Sequence, residues 1–209
     1  MTMDGKGRLL LLVGCIALLI GCSTSSHKVL LIARETSDNM NMMIDSEVKP
    51  IEAKLTASGF KVVVASETRA LLGSGGSTLQ PDLRLSEVKL SDYVGVIIPC
   101  MAAGGTPNAL PTVAVELVKK ANSIGMPIAA QQSGVELLGK AGILKGRNFA
   151  IEAGQDSQFP EGTYKGVGVV VDGTLVTSGT CPYIRSRTGM PDGTSEMTSK
   201  FIGLLTKSS

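Results

Sequence analysis

Short apolar runs alternate with amphipathic stretches along most of this chain. Four runs are typical of strands buried on both faces of a parallel sheet, at 29–33, 62–65, 93–99 and 127–130. Four segments have apolar residues at helical spacing, at 44–55, 113–124, 134–141 and 195–205. Pro50 interrupts the first of them, so a kink or a restart is predicted there. The alternation predicts an α/β sandwich with a mostly parallel sheet.

Two less regular regions complete the pattern. The runs 167–171 and 174–177, joined by Asp172 and Gly173, predict a β-hairpin. The stretch from Ser66 to Ser91 is rich in Gly, Ser and Pro and predicts a loop with a short hairpin. Ligand sites of such folds lie at the carboxyl ends of the strands. Four loops are therefore candidates, beginning at Arg34, Pro99, Gln131 and Ser178.

The N-terminal segment is different in character. Lys6 and Arg8 precede 13 apolar residues at 9–21, a run too short to span a bilayer comfortably and typical of a secretory signal. Gly21-Cys22 ends it in the form of a bacterial lipobox, with a signal anchor or a buried helix as the alternative. We predict a signal peptide at 1–21, a lipidated tether at 22–27 and one domain at 28–209. Lipid on Cys22 would hold the protein on a membrane without spanning it.

Composition narrows the chemistry further. The net charge is only +2, aromatic residues make up 3% and tryptophan is absent, which argues against nucleic acid as a partner. The single histidine, His27, lies in the tether, so Ser-His-Asp, Cys-His and His-containing metal sites within the domain are excluded. We expect no metal and no cofactor. Ser23 after the lipobox favours the periplasmic face of the outer membrane within the bacterial cell envelope.

Five segments together resemble the ThiJ/PfpI family over residues 28–205: KVLLIARE, SGFKVVVAS, DYVGVIIP, GMPIAAQQSGVELLGKAGILKGR and VVVDGTLVTSG. The resemblance implies a flavodoxin-like three-layer sandwich, related to the class I glutamine amidotransferases. Relatives often dimerise, so a homodimer is expected. It also implies a thiol nucleophile on the sharp turn after the fourth strand.

This chain departs from the family pattern at that turn. Gln132 stands where the family has its nucleophile Cys, and Ser133 stands where the following His would be. An amide cannot supply a thiolate, and no histidine is available to activate Ser133. The usual family activity is therefore expected to be absent, and whether the protein is an enzyme stays open.

The resemblance also places a pocket around the turn. Glu35 lies near the position of the family acid and is expected to pair with the amide of Gln132, the alternative being a solvated carboxylate. Gly104 and Gly105 lie in the loop that contributes backbone N–H groups to the family's oxyanion hole. The predicted pocket comprises Glu35, Gln132, Ser133, Gly104 and Gly105.

Cysteine usage adds a second candidate site. Of four cysteines, Cys15 leaves with the signal peptide and Cys22 takes lipid, so Cys100 and Cys181 remain in an oxidising compartment. The resemblance places both beside the pocket, facing each other. Three alternatives stay open: a disulfide, two inert buried thiols, and a reactive Cys100 with Glu35 nearby.

Two functional hypotheses follow from these observations. The first is a lipid-anchored, non-catalytic protein that binds a small polar ligand or serves as a structural module. The second is a thiol-dependent hydrolase or lyase, or a redox protein, that uses Cys100 in place of the missing nucleophile, with Glu35 and Ser133 as further catalytic candidates.

Overall fold

A seven-stranded sheet forms the centre of the molecule. The computed structural model describes residues 27–37, 39–100 and 111–207. In spatial order the strands are β10 (Val169–Asp172), β11 (Leu175–Ser178), β7 (Ile128–Gln131), β6 (Gly95–Ile98), β1 (Lys28–Ile32), β2 (Lys61–Ser66) and β5 (Leu83–Arg84). Within the described residues, every pairing in this sheet is parallel except that of β10 with β11. The predicted strands and the predicted hairpin are confirmed.

Helices cover both faces of the sheet and make it the middle of three layers. One apolar cluster joins the sheet to α3 (Thr112–Ser123) and α4 (Ser133–Lys140). The other joins it to α1 (Met40–Met43), α2 (Lys49–Ala57), α5 (Pro182–Thr188) and α6 (Thr194–Leu205). This is the flavodoxin-like arrangement that the sequence predicts.

The helical segment predicted over 44–55 consists of more than one element. A π-helical turn, Ile44–Val48, connects α1 to α2, and Pro50 lies in the first turn of α2. Proline is tolerated there because the first turn of a helix needs no amide donor from that residue. The expected restart at Pro50 is therefore present, while the π-helical turn is not a feature that apolar spacing predicts.

Smaller elements fill the connections. The hairpin expected between residues 66 and 91 is formed by β3 (Leu72–Ser74) and β4 (Ser77–Leu79). A parallel pair of β8 (Asn148–Phe149) and β9 (Thr163–Tyr164), and helix α5, were not predicted from the sequence. Three 3-10 turns lie at Leu85–Glu87, Leu90–Asp92 and Asp156–Gln158.

The parallel strands give the sheet two chemically distinct edges. We call the edge where β1, β2, β6, β7 and β11 end the carboxyl edge, and the edge where they begin the amino edge. The described chain enters at the amino edge, where the His27 carbonyl accepts a hydrogen bond from the Lys61 amide at 3.0 Å. Any ligand site expected from the fold lies at the opposite, carboxyl edge.

The predicted signal peptide, and Cys22 with most of the tether, lie outside the described residues. Across the described ranges, no helix combines the length and the hydropathy needed to cross a bilayer. Lipidation of Cys22 therefore stays a prediction.

Candidate functional site

The turn between β7 and α4 places Gln132 in a strained backbone conformation. Gln132 has φ 43° and ψ −106°, in a region that residues with a side chain rarely adopt. Such strain is characteristic of functional turns, because the surrounding structure must hold the residue in place. Gly134 follows closely, and a Cβ atom there would lie 2.6 Å from the Ile98 carbonyl oxygen. The turn therefore needs a very small residue at Gly134 so that α4 can begin against β6.

The side-chain amide of Gln132 is hydrogen-bonded at both its oxygen and its nitrogen. Its Oε1 accepts hydrogen bonds from the Ser133 backbone N–H and, at 3.0 Å, from the Cys100 thiol. Its Nε2 donates to Glu152 Oε2 at 2.9 Å. The expected pairing of Gln132 with Glu35 is therefore not formed. Glu152 takes that place because the loop after β8 brings its carboxylate to the amide.

The two cysteines of the domain meet beneath this turn. Cys100 and Cys181 are free and completely buried, and the Cys181 thiol donates to Cys100 Sγ at 3.1 Å. Burial, reinforced by the neighbouring Cys181, raises the pKa of the Cys100 thiol well above its ordinary value, despite opposing hydrogen bonds from Ser133. The structure thus brings the predicted pair together, and the disulfide stays a prediction.

Glu47 is a buried acid beside the thiols that the sequence analysis did not single out. Its side chain is 0% exposed, and its Oε1 accepts a hydrogen bond from the Cys100 backbone N–H at 2.7 Å. The sequence does contain a signal. Glu47 lies three residues after Ile44 and four before Ile51, so it falls on the apolar stripe of the helical segment. A carboxylate on a buried stripe requires a polar partner, and here the partner is the end of β6.

Ser133 joins the thiol cluster to a pocket on the other face of the sheet. Its hydroxyl donates to the Cys100 carbonyl oxygen and lies 3.7 Å from Cys100 Sγ. It also lines a pocket at the carboxyl edge with a cavity volume of about 100 Å³. The polar lining includes Arg34, Glu35 and Glu67. The apolar lining comes from Ile32, Leu85, Ile98, Pro111, Ala114 and Leu137.

The predicted pocket residues are only partly brought together. Glu35 and Ser133 line the pocket, whereas the described lining does not include Gln132 or Cys100. Cys100 was expected at the pocket rim but packs into the apolar cluster on the opposite face. Gly104 and Gly105 lie outside the described residues. The side chains at the strand ends turn to different faces, so proximity along the chain did not predict a shared cavity.

Glu35 is held by the loop after β2. Its carboxylate accepts hydrogen bonds from the backbone N–H and the hydroxyl of Thr68. Partial burial alone would raise the pKa of Glu35, but these bonds, with others from Ser66 and Arg69, outweigh it and hold the pKa below its ordinary value. Glu35 is thus an ionised group at the pocket mouth and does not contact the Cys100 thiol.

Throughout the described ranges, no group of three or more His, Cys, Asp or Glu side chains is arranged to hold a metal ion. The candidate site thus far described has two parts. We call them the buried cluster (Glu47, Cys100, Cys181 and Gln132) and the open pocket (Arg34, Glu35, Glu67 and Ser133).

Comparison with known proteins identifies relatives of this arrangement. Residues 27–186 match the DJ-1/PfpI family. A protein of Pyrococcus abyssi named a deglycase is 34% identical over 130 residues, which span 60% of this chain and 76% of that protein. Among solved structures, a ThiJ/PfpI domain protein from Brachyspira murdochii has a TM-score of 0.66 and 18% identity, covering 89% of this chain and 99% of that one. DJ-1beta of Drosophila melanogaster has a TM-score of 0.66 and 21% identity, covering 87% and 95% of the two chains.

Proposed function

Because this chain belongs to the DJ-1/PfpI family, we propose that it is a lipid-anchored member of the bacterial cell envelope that binds a small polar ligand without thiolate catalysis. The lipid on Cys22 would place it on the periplasmic face of the outer membrane. The ligand would occupy the pocket at the carboxyl edge.

The observation that carries this proposal is the identity and bonding of Gln132. The family resemblance aligns this residue with the thiol nucleophile, and its backbone has the strained conformation of such a turn. Its amide has no nucleophilic atom, and both ends of it are bonded, to Ser133 and to Glu152. These bonds support a structural role for Gln132, in which its side chain holds the residues of the site in place.

Neighbouring groups do not replace the missing nucleophile. The Ser133 hydroxyl donates to a backbone carbonyl, and the one histidine of the chain, His27, lies at the opposite edge of the sheet. The Cys100 thiol is buried and its pKa is raised, so it is a poor source of thiolate at neutral pH. These features favour binding over nucleophilic chemistry.

The pocket suits a ligand of few atoms. Its volume of about 100 Å³ lies well below the several hundred Å³ typical of drug-sized ligands. Arg34 offers donors, Glu35 offers an ionised acceptor, and Ser133 lies deeper against an apolar wall. A small molecule that carries an amide or a hydroxyl group matches this combination.

The binding proposal is tested by ligand-dependent melting shifts with acetamide, glycinamide and glycolate as probes. At least one probe should raise the melting temperature, and Glu35→Ala should abolish that shift. Glu196→Ala is the matched control, because Glu196 is an exposed carboxylate in the first turn of α6, outside the pocket. The proposal fails if none of the three probes shifts the melting temperature, or if Glu35→Ala leaves the shift intact.

A second candidate function is supported by the 3.1 Å approach of Cys181 Sγ to Cys100 Sγ. Two thiols at this separation suit thiol–disulfide exchange, in which an external disulfide takes up the two electrons and two protons and is reduced to two thiols. Separately, the relative of Pyrococcus abyssi is named a deglycase. Alkylation of the native protein with iodoacetamide at neutral pH separates the two candidates. Rapid labelling of Cys100, or removal of adducts from methylglyoxal-treated albumin, favours the thiol enzyme; slow labelling and no removal favour binding.

A further inference from the structure

The two edges of the sheet differ in charge. The amino edge carries Lys28, Lys61, Lys120, Arg147 and Lys207, against the carboxylates Asp92 and Asp172. The carboxyl edge carries Glu35, Glu67, Glu87, Glu152 and Asp192, against Arg34, Arg69, Arg84, Arg185 and Arg187. A net charge of only +2 therefore conceals a molecule with one basic edge and one edge of balanced charge.

The lysines of the amino edge come from the sheet and from helices on both of its faces. Lys28 and Lys61 occupy paired positions on the neighbouring strands β1 and β2. Lys120 is in the last turn of α3, and Lys207 follows α6, whose Leu205 packs against Gly95 at the start of β6. Within the ranges that the structure describes, the two ion pairs found are Lys49 with Asp45 and Lys145 with Glu161, so these four lysines have no carboxylate partner.

An exposed apolar side chain lies at the same edge. Ile124 ends α3, four residues after Lys120, and is 58% exposed. An exposed bulky apolar residue on a lysine-bearing edge is a composition found on surfaces that touch a membrane, where the apolar group enters the interface and the cations meet lipid phosphates.

The tether fixes which edge lies near the bilayer. Lys28, the first residue of β1, is six residues after Cys22 in the sequence, and six residues span at most about 20 Å. The domain is thus held within a few Debye lengths of a membrane that carries the lipid, with its amino edge nearest. The argument rests on the lipid anchor of the proposed function.

We propose that the amino edge, with Lys28, Lys61, Lys120, Lys207 and Ile124, docks on an anionic phospholipid bilayer. The pocket at the carboxyl edge then faces away from the membrane, because the two edges are opposite ends of the same parallel strands. The balanced charge of the carboxyl edge offers an anionic surface no comparable attraction.

The absence of tryptophan from the chain makes a direct test simple. Ile124→Trp places a fluorophore at the amino edge, and Leu71→Trp, at a residue 59% exposed beside the carboxyl edge, is the matched control. The mature lipidated protein is reconstituted in phosphatidylglycerol vesicles whose acyl chains carry bromine, a quencher of tryptophan. Quenching of the Ile124→Trp protein alone supports docking; equal quenching of the two, or quenching of the Leu71→Trp protein alone, overturns it.

Charge variants test whether the lysines are responsible. Each lysine near an anionic surface contributes a factor of about 5 to binding, so adding Lys28→Gln and Lys61→Gln to the Ile124→Trp protein should lower the ratio of docked to undocked domain about 25-fold. Arg84→Gln with Arg185→Gln removes the same charge from the carboxyl edge and should leave quenching unchanged. Quenching that ignores the lysine variants contradicts the proposal.

The mass of the same sample separates this proposal from the anchor on which it rests. An acylated Cys22 with no quenching of the Ile124→Trp protein overturns docking and leaves the anchor intact. An unacylated Cys22 overturns the anchor; docking is then retained if phosphatidylglycerol vesicles still quench the Ile124→Trp protein and overturned if they do not.

Discussion

The buried cluster and the open pocket lie on opposite sides of one turn and differ in burial, in hydrogen bonding and in access to solvent. Glu47, Cys100 and Cys181 are completely buried and bond to each other, to Gln132 and to the backbone. Arg34, Glu35 and Glu67 line a cavity that opens at the carboxyl edge. Ser133 contacts both regions.

The most reactive side chains of the site are therefore not the accessible ones. The sulfur atoms are the strongest potential nucleophiles of the domain, yet they lie in the buried cluster, where burial raises the pKa of Cys100. The accessible side offers a carboxylate, a guanidinium and a hydroxyl, which are groups that bind more readily than they react. A family resemblance that predicts a thiol at the turn therefore does not by itself predict thiol chemistry in the pocket.

The largest expected effect concerns the redox state of Cys100 and Cys181 in the buried cluster. If Cys100 and Cys181 join, the bond closes a loop of some eighty residues and raises the free energy of unfolding by about 4 kcal/mol, less any strain. Urea unfolding with and without dithiothreitol measures this difference. Cys181→Ser is the control, since it cannot form the bond; an unchanged midpoint in the wild type on reduction would show that the thiols stay free.

Removal of the buried acid should have the next largest effect. Glu47→Ala leaves the Cys100 N–H without its acceptor and opens a cavity, which together should lower the free energy of unfolding by about 3 kcal/mol. Glu47→Gln keeps an oxygen at that position and should cost less, as measured by urea unfolding. Equal losses in the two variants would mean that the charge, and not the acceptor, matters.

A smaller effect is expected where the two regions join. Ser133→Ala removes the hydroxyl that donates to the buried Cys100 carbonyl and should cost about 1 kcal/mol. Ser186→Ala is the matched control, because the Ser186 hydroxyl also donates to a backbone carbonyl, that of Tyr183, but on an exposed turn of α5. Thermal unfolding should separate the two variants, and similar losses would argue against a special role for Ser133.

The smallest expected effect is the pH dependence of stability that arises from Glu35 in the open pocket. The pKa of Glu35 is lowered in the folded state, so its contribution to stability is present above the ordinary glutamate value of about 4.3 and is lost as the pH falls through the folded value. The stability difference between wild type and Glu35→Gln should therefore shrink in acid, as followed by urea unfolding at several pH values.

Glu136 provides an opposite control for this measurement. Burial raises the pKa of Glu136, although Arg34 and Lys140 counteract it. Protonation therefore relieves a cost as the pH falls, and wild type should gain stability relative to Glu136→Gln over the same range. Parallel trends for Glu35→Gln and Glu136→Gln would contradict the opposite environments described for the two carboxylates.

The sequence predicted the sheet well because its signal is local. The apolar runs that correspond to β1, β2, β6 and β7 are buried on both faces. The pattern of such a strand is contained in a few consecutive residues. The turn at Gln132 was located by the family resemblance, whereas the positive φ of Gln132 is visible only in the structure.

The contacts of the site were harder to predict because they join distant parts of the chain. Glu35 bonds to Thr68 and Gln132 bonds to Glu152, and neither partner is marked by any local pattern. Glu47 reaches Cys100 across 53 residues, through a π-helical turn that apolar spacing does not reveal. Which face a side chain takes at the end of a strand depends on the register of the whole sheet.

The packing of α6 against the first half of the chain bears on the order in which the protein folds. Phe201 and Leu205 of α6 cover Gly95, and the Lys54 ammonium of α2 donates to the Ser195 carbonyl at 2.9 Å, 141 residues away. The face of the sheet that α1, α2 and α5 also cover is thus completed only when α6 docks. Contacts of such long sequence separation form slowly, so we expect the docking of α6 to be a late step in folding.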